Sequence, residues 1–191
     1  MKPRVRLILD VDGVVADFVG HVLRSVGSSR DPAEVDEYDI FKFLTTEQQE
    51  EARRLLSTSE FWLSMPLMPG ALEGVRTFQL KGHEIVWATT PWEDCREWDW
   101  ARRTWIKQHF SARDQDIVTI HEKQWLTGEF LVDDRPESVL AWQRANAHGV
   151  AFLYNAPYNA DFLWPQRLDW TVKDEDDGQE DAEGDVRLDE G

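Results

Sequence analysis

The chain is poor in the residues that mark several whole classes of protein. One cysteine, Cys95, stands in 191 residues. That excludes an intramolecular disulfide and a cysteine-based zinc cluster. Basic residues are scarce: 21 Lys and Arg face 37 Asp and Glu, for a formal net charge of −16. Such a balance disfavours long nucleic acid, whose affinity rests on basic contacts to phosphate. It leaves room for a small phosphate ester, because a bound divalent cation inverts the local field. No apolar run approaches membrane-spanning length. The start, Met1 to Arg6, leads directly into a strand pattern, without the apolar stretch and cleavage site of a secretory signal. The sequence therefore predicts a cytoplasmic protein with no membrane association. The histidines at 21, 83, 109, 121 and 148 show no ligand spacing and read as structural or exposed.

What is present supports one domain with a modest insertion. Hydrophobic residues make up 41% and aromatics 12%, enough for a sizeable core at this length. Ten tryptophans is a high count; most read as core, and some suit stacking on a flat ligand. From Asp174 to Gly191 the composition changes. This stretch holds ten acids and one arginine, hence −9 of the −16. With almost no apolar residues it cannot offset its ordering entropy by burial, so residues 173–191 are predicted to form a disordered acidic tail.

Before the tail, strand and helix patterns alternate. Val5–Asp10 reads as a strand, and Asp17–Val26 as a helix with Phe18, Val22 and Val26 on one face. Residues 31–65 contain no good strand. Thr45-Thr46-Glu47-Gln48 resembles a capped start for a helix to Ser57, with Ala52, Leu55 and Leu56 on its apolar side. Pro69-Gly70-Ala71 opens a further helix that Gly82 ends. Strands are expected at His83–Ala88, Asp116–Ile120, Glu129–Val132 and Val150–Tyr154, and helices at Asp94–Phe110 and Pro136–His148. The alternation predicts an α/β fold, a Rossmann-like parallel sheet with helices on both faces.

Polar residues fall at the ends of these strands. Ile8-Leu9-Asp10-Val11-Asp12-Gly13 puts two carboxylates two residues apart, with a glycine that lets the backbone turn. Thr89-Thr90-Pro91 follows the second strand, and Asp133-Asp134-Arg135-Pro136 follows the fourth. In a parallel sheet all such ends share one edge, where ligands bind. Carboxylates held this close repel unless a cation or a proton sits between them.

Together these residues resemble the haloacid dehalogenase superfamily of phosphotransferases. The motifs are DVDGVVADF at 10–18, a threonine at Thr89, a lysine for which Lys123 has the right place, and the acid pair Asp133-Asp134. Within the superfamily the chain is most similar to the 5′(3′)-deoxyribonucleotidases, through Ala16-Asp17-Phe18, Pro69-Gly70-Ala71 and Asp133-Asp134-Arg135-Pro136. One departure is Thr-Thr-Pro at 89–91, where that family reads Thr-Ser-Pro; the hydroxyl is kept.

The resemblance implies a core of residues 1–17 and 70–172, with a small helical cap of residues 18–69 inserted after the first strand. It implies Asp10 as nucleophile, Asp12 as proton donor and acceptor, and Thr89 and Lys123 as groups on the phosphoryl oxygens. It implies Mg²⁺ near Asp10, Asp12 (through its backbone carbonyl), Asp133 and Asp134. Phe18, Trp62, Thr90 and Trp92 are the expected substrate contacts, with Phe61 a further candidate wall; core packing is the competing role for Phe61, Trp62 and Trp92. The expected activity is Mg²⁺-dependent hydrolysis of a phosphomonoester, foremost a deoxynucleoside or nucleoside 5′-monophosphate. Another small ester such as a sugar phosphate is the alternative, since only the cap separates the two. A non-catalytic scaffold is a more distant reading. A homodimer is left open.

Overall fold

The computed structural model describes residues 4–170. The acidic tail expected from composition lies outside the described residues. Among the described residues no helix is long and apolar enough to cross a membrane.

Six parallel strands form one sheet: β1 (Arg6–Leu9), β2 (Glu84–Thr89), β3 (Ile117–Thr119), β4 (Phe130–Asp133), β5 (Val150–Tyr154) and β6 (Arg167–Leu168). Their order is β3-β2-β1-β4-β5-β6. This is a doubly wound α/β topology, and its chain direction switches between β1 and β4. Leu7 to Leu9 pair with Phe130 to Val132 across that boundary. Leu7, Ile8, Leu9, Leu131 and Val132 are all at most 2% exposed. A strand buried on both faces reads as an unbroken apolar run, which is what the sequence shows at β1 and β4.

Helices α4 (Ala71–Leu80), α5 (Trp98–Phe110) and α6 (Pro136–Ala145) connect the strands. Between β1 and α4 lies the inserted segment, with α1 (Phe18–Ser25), α2 (Thr46–Leu56) and α3 (Ser59–Leu63). Its entry and exit run side by side. Asp17 N donates to Pro66 O, Met68 N donates to Val15 O, and Ala16 bridges antiparallel to Leu67. The insertion thus springs from a two-stranded stem at residues 15–17 and 66–68. Local signals explain its helices. The Asp17 side chain accepts from Gly20 N at the start of α1, and Thr45 with Gln48 forms the capping box that opens α2.

Two elements have no counterpart in the sequence reading. The five-residue α3 and the two-residue β6 are too short to show a period. The α5 helix also starts at Trp98 rather than Asp94, because residues 92–97 turn first, Trp98 N donating to Cys95 O.

Candidate active site

The switch between β1 and β4 brings three acids together. Asp10 follows β1, Asp133 ends β4 and Asp134 follows it. All three are buried, and one carboxylate oxygen from each lies within 4.8 Å of the others. Lys123 opens a 3₁₀ turn after β3 and reaches into the group. Its ammonium lies 2.7 Å from Asp10 Oδ1 and 2.7 Å from Asp133 Oδ2. Backbone amides hold the acids further: Val11 N donates to Asp10 Oδ1, and Arg135 N donates to Asp133 Oδ1.

The electrostatics are those of an under-compensated cluster. Three carboxylates face one ammonium. Burial, and then the neighbouring acids Asp10 and Asp133, push Asp134 well above the usual carboxylate range. Burial also pushes Asp133 up, against the pull of Lys123. Burial opposes the charge on Lys123, but Asp10 and Asp133 outweigh it and hold the ammonium protonated. Asp134 Oδ2 accepts from the Tyr158 hydroxyl, while Asp134 Oδ1 is buried without a partner among the described residues. An all-oxygen donor set of three carboxyl groups facing one ammonium, with one orphaned oxygen, fits a hard divalent cation.

Asp12 stands apart from this group. Its side chain is turned to Arg102, whose Nη2 donates to Asp12 Oδ1 at 2.6 Å. The Asp12 carboxylate is therefore not among the clustered oxygens. Burial pushes it above the usual carboxylate range, with Arg102 and Lys123 pulling against that. Gly13 makes the turn that places Asp12, at φ +77°. A side chain there would collide with the Asp134 carboxylate and the Tyr158 hydroxyl, so glycine is required twice over.

Thr89 ends β2 on the same edge of the sheet. It is 1% exposed, and its hydroxyl has no partner among the described residues. A buried unpaired hydroxyl costs free energy unless something hydrogen-bonds to it. Thr90 lines the adjoining cleft, its hydroxyl 3.5 Å from Ile120 O.

That cleft, of about 400 Å³, lies between the strand ends and the inserted helices. Asp10, Asp12 and Asp134 form part of its floor. Phe18, Trp62 and Trp92 line the other side, with Tyr38 and Arg135. Phe18 and Trp62 stack at 6.0 Å and 19°, and Trp92 lies 5.7 Å from Trp62. Phe61 is buried against His21 instead and does not line the cleft. Trp62 borders the cleft but is itself only 1% exposed, its ring stacked on Phe18 and 5.0 Å from the Arg102 guanidinium, so it serves as packing behind the cleft wall and not as a free stacking face.

Sequence reasoning passed over three of these residues, Tyr38, Tyr158 and Arg102. Tyr38, Tyr158 and Arg135 meet only through the fold: Arg135 lies over the Tyr38 ring at 4.8 Å, and Tyr38 meets Tyr158 edge-on at 5.7 Å. Arg102 did leave a signal. Trp98, Arg102 and Trp105 share one helix face, so the arginine sits where the period calls for an apolar residue.

A doubly wound sheet with an acid cluster at its switch point and an inserted helical segment defines a phosphohydrolase of the haloacid dehalogenase type, an enzyme that cleaves phosphomonoesters. The chain belongs to the family described as 5′ nucleotidase, deoxy (pyrimidine), cytosolic type C, whose model matches residues 4–174. The human cytosolic-type 5′(3′)-deoxyribonucleotidase is 29% identical over 147 residues, covering 71% of this chain and 73% of that protein. The mitochondrial 5′(3′)-deoxyribonucleotidase of Mus musculus is 25% identical over 174 residues, covering 85% and 79%. The fold is shared with a haloacid dehalogenase family hydrolase from Deinococcus radiodurans, solved with bound phosphate and sodium. That likeness has a TM-score of 0.52 at 12% identity and covers 82% of this chain and 85% of the other.

Proposed function

We propose that this protein is a Mg²⁺-dependent phosphatase that hydrolyses nucleoside 5′-monophosphates, deoxynucleotides foremost, through an aspartyl-phosphate intermediate. The observation that carries the reading is the buried group Asp10, Asp133, Asp134 and Lys123 beneath an aromatic-walled cleft. The family and the named relatives supply the nucleotide class. A cytosolic-type relative supports the cytoplasm as its place of work.

In this reading Asp10 attacks phosphorus. An Asp10 oxygen–phosphorus bond forms as the ester oxygen–phosphorus bond breaks, and Asp12 gives its proton to the departing alkoxide. Asp12, now a carboxylate, takes a proton from water. The water oxygen attacks phosphorus, phosphate leaves and the Asp10 carboxylate is restored. Thr89 donates a hydrogen bond to a phosphoryl oxygen, which satisfies its orphaned hydroxyl. Lys123 balances charge on Asp10 and on the phosphoryl group. Asp10, Asp133 and Asp134, with the Asp12 backbone carbonyl, would hold Mg²⁺. That ion would supply charge neutralisation between the incoming phosphate and the acids. Phe18 and Trp92 offer faces for a flat base, with the buried Trp62 packed behind them, and Thr90 offers a hydroxyl beside the phosphate.

The test is phosphate release from deoxy- and ribonucleoside monophosphates, sugar phosphates and an aryl phosphate, with and without Mg²⁺. The expected result is Mg²⁺-dependent turnover that favours deoxynucleotides and vanishes in Asp10→Asn. Turnover of sugar phosphates in preference to nucleotides would overturn the substrate assignment. Undiminished turnover by Asp10→Asn would overturn the chemistry.

A further inference from the structure

Arg102 is a charged residue in the wrong place for a surface helix. It sits in the middle of α5 and is 0% exposed. Its guanidinium carbon lies 5.0 Å from the ring centre of Trp62, 5.9 Å from Trp98 and 5.6 Å from Trp105. Trp98 and Trp105 stand one turn to either side on the same helix, and Trp62 closes the cage from α3 in the inserted segment. Two of the three walls are themselves pinned by hydrogen bonds. Trp62 Nε1 donates to Leu56 O at 2.9 Å, and Trp105 Nε1 donates to Met65 O at 2.7 Å. Aromatic faces attract a cation most strongly when water is excluded, so the cage holds the guanidinium in one place.

Among the described residues Asp12 is the one acid that pairs with Arg102, at 2.6 Å. The Asp12 side chain is 30% exposed and borders the cleft, while Arg102 lies behind it, wholly covered. Asp12 Oδ1 is taken by the guanidinium. Asp12 Oδ2 makes no hydrogen bond to any described residue and is the oxygen left to carry a proton.

We propose that Arg102, fixed in its tryptophan cage, is a positioning residue that anchors Asp12 Oδ1 and so presents Asp12 Oδ2 to the ester oxygen of the substrate. This rests on the reading of Asp12 as the proton donor. A carboxylate on a loop has two rotatable bonds. Anchoring one oxygen to a rigid partner settles its orientation before substrate arrives. Trp62 serves both sides, as cage wall to Arg102 and as cleft wall stacked on Phe18.

A purely structural ion pair would lower the rate on every substrate alike, by lowering the amount of folded enzyme. A positioning role depends on the leaving group. An alkoxide needs the proton from Asp12; p-nitrophenolate leaves without it. The experiment compares the full-length protein with its Arg102→Met and Arg102→Lys variants in the presence of Mg²⁺. For each preparation kcat and KM are measured on p-nitrophenyl phosphate and on an alkyl monoester that the enzyme hydrolyses, a nucleoside 5′-monophosphate.

General acid–base catalysis supplies about 10²–10⁴-fold, so the alkyl-to-aryl ratio of kcat/KM, which reports the step that expels the leaving group and not the later hydrolysis common to both substrates, should fall by about tenfold or more in Arg102→Met. Arg102→Lys should recover part of the ratio. In an Asp12→Asn background Arg102→Met should cost nothing further on the alkyl ester. An unchanged ratio, a further loss in that background, or an Arg102→Lys protein that does not fold would overturn the proposal. Failure of the underlying reading looks different: Asp12→Asn alone would then keep its alkyl-ester turnover.

Discussion

The two sides of the cleft are built on different principles. The floor is made by strand ends. Asp10, Thr89, Lys123, Asp133 and Asp134 are each at most 6% exposed; the register of β1, β2 and β4 spaces the acids and Thr89, and Lys123 reaches them from the 3₁₀ turn after β3. The roof is made by side chains on short helices and loops, with Phe18, Trp92 and Tyr38 partly or largely exposed. A sheet register cannot shift by one residue without turning every side chain to the other face, so the floor is fixed by the core. The roof is held by ring-to-ring packing and by a two-stranded stem. The floor accordingly suits one chemistry, and the roof is the part free to choose a substrate.

The comparison breaks first at Lys123. Removing its charge strands Asp10 and Asp133 in a buried site, and breaking a buried pair costs about 3–5 kcal/mol. Lys123→Met should lower the unfolding free energy by that amount in denaturant titration. It should also lower kcat by about 10²–10³-fold, the range for loss of one preorganised electrostatic group. A stable and active Lys123→Met protein would show that the floor does not depend on its one cation.

The roof should fail differently. Phe18→Ala removes a half-buried stacking face, and one base–aromatic stack is worth about 1–3 kcal/mol. KM for the nucleoside monophosphate should rise about 5- to 150-fold while turnover of an aryl phosphate at saturation changes little. A matching loss of kcat on both substrates would mean that roof and floor are one unit.

A smaller effect is expected at the base of the inserted segment. His21 Nε2 lies 3.2 Å from Phe61 O and 3.3 Å from Ser64 Oγ, and its ring packs on Phe61 at 4.4 Å. Burial lowers its pKa below the ordinary 6.5. The folded state then binds fewer protons than the unfolded state, so the contribution is full above 6.5 and is lost as pH falls through the depressed value. Thermal melts should show a fall in stability across that window that is reduced in His21→Phe. The smallest effect is expected from the chain end. Removal of residues 174–191 should leave kcat/KM unchanged, since that stretch is almost purely polar.

The floor and the roof were also unequally legible in the sequence. Asp10, Thr89 and Asp133 each close an apolar run, and one rule about parallel sheets places them on a common edge. Trp62 and Phe61 are neighbours on α3, and nothing in their order says that Trp62 packs behind the cleft wall while Phe61 packs on His21. Tyr158 lies 24 residues beyond Asp134, and its hydrogen bond to that acid exists only once β5 is in place. Arg102 was visible as an interruption in a tryptophan-rich face, but its partner Asp12 is 90 residues away. Pattern reveals which residues are buried or delivered to an edge; which of them touch is decided by packing.

The central claim is that the floor performs covalent chemistry at Asp10. The most direct measurement is acid quenching of the enzyme during turnover of a nucleoside monophosphate with Mg²⁺, followed by peptide mass spectrometry. The account predicts a phosphoryl adduct on the peptide that carries Asp10, base-labile and absent from Asp10→Asn. Steady turnover by an Asp10→Asn enzyme, or an adduct on another residue, would contradict it.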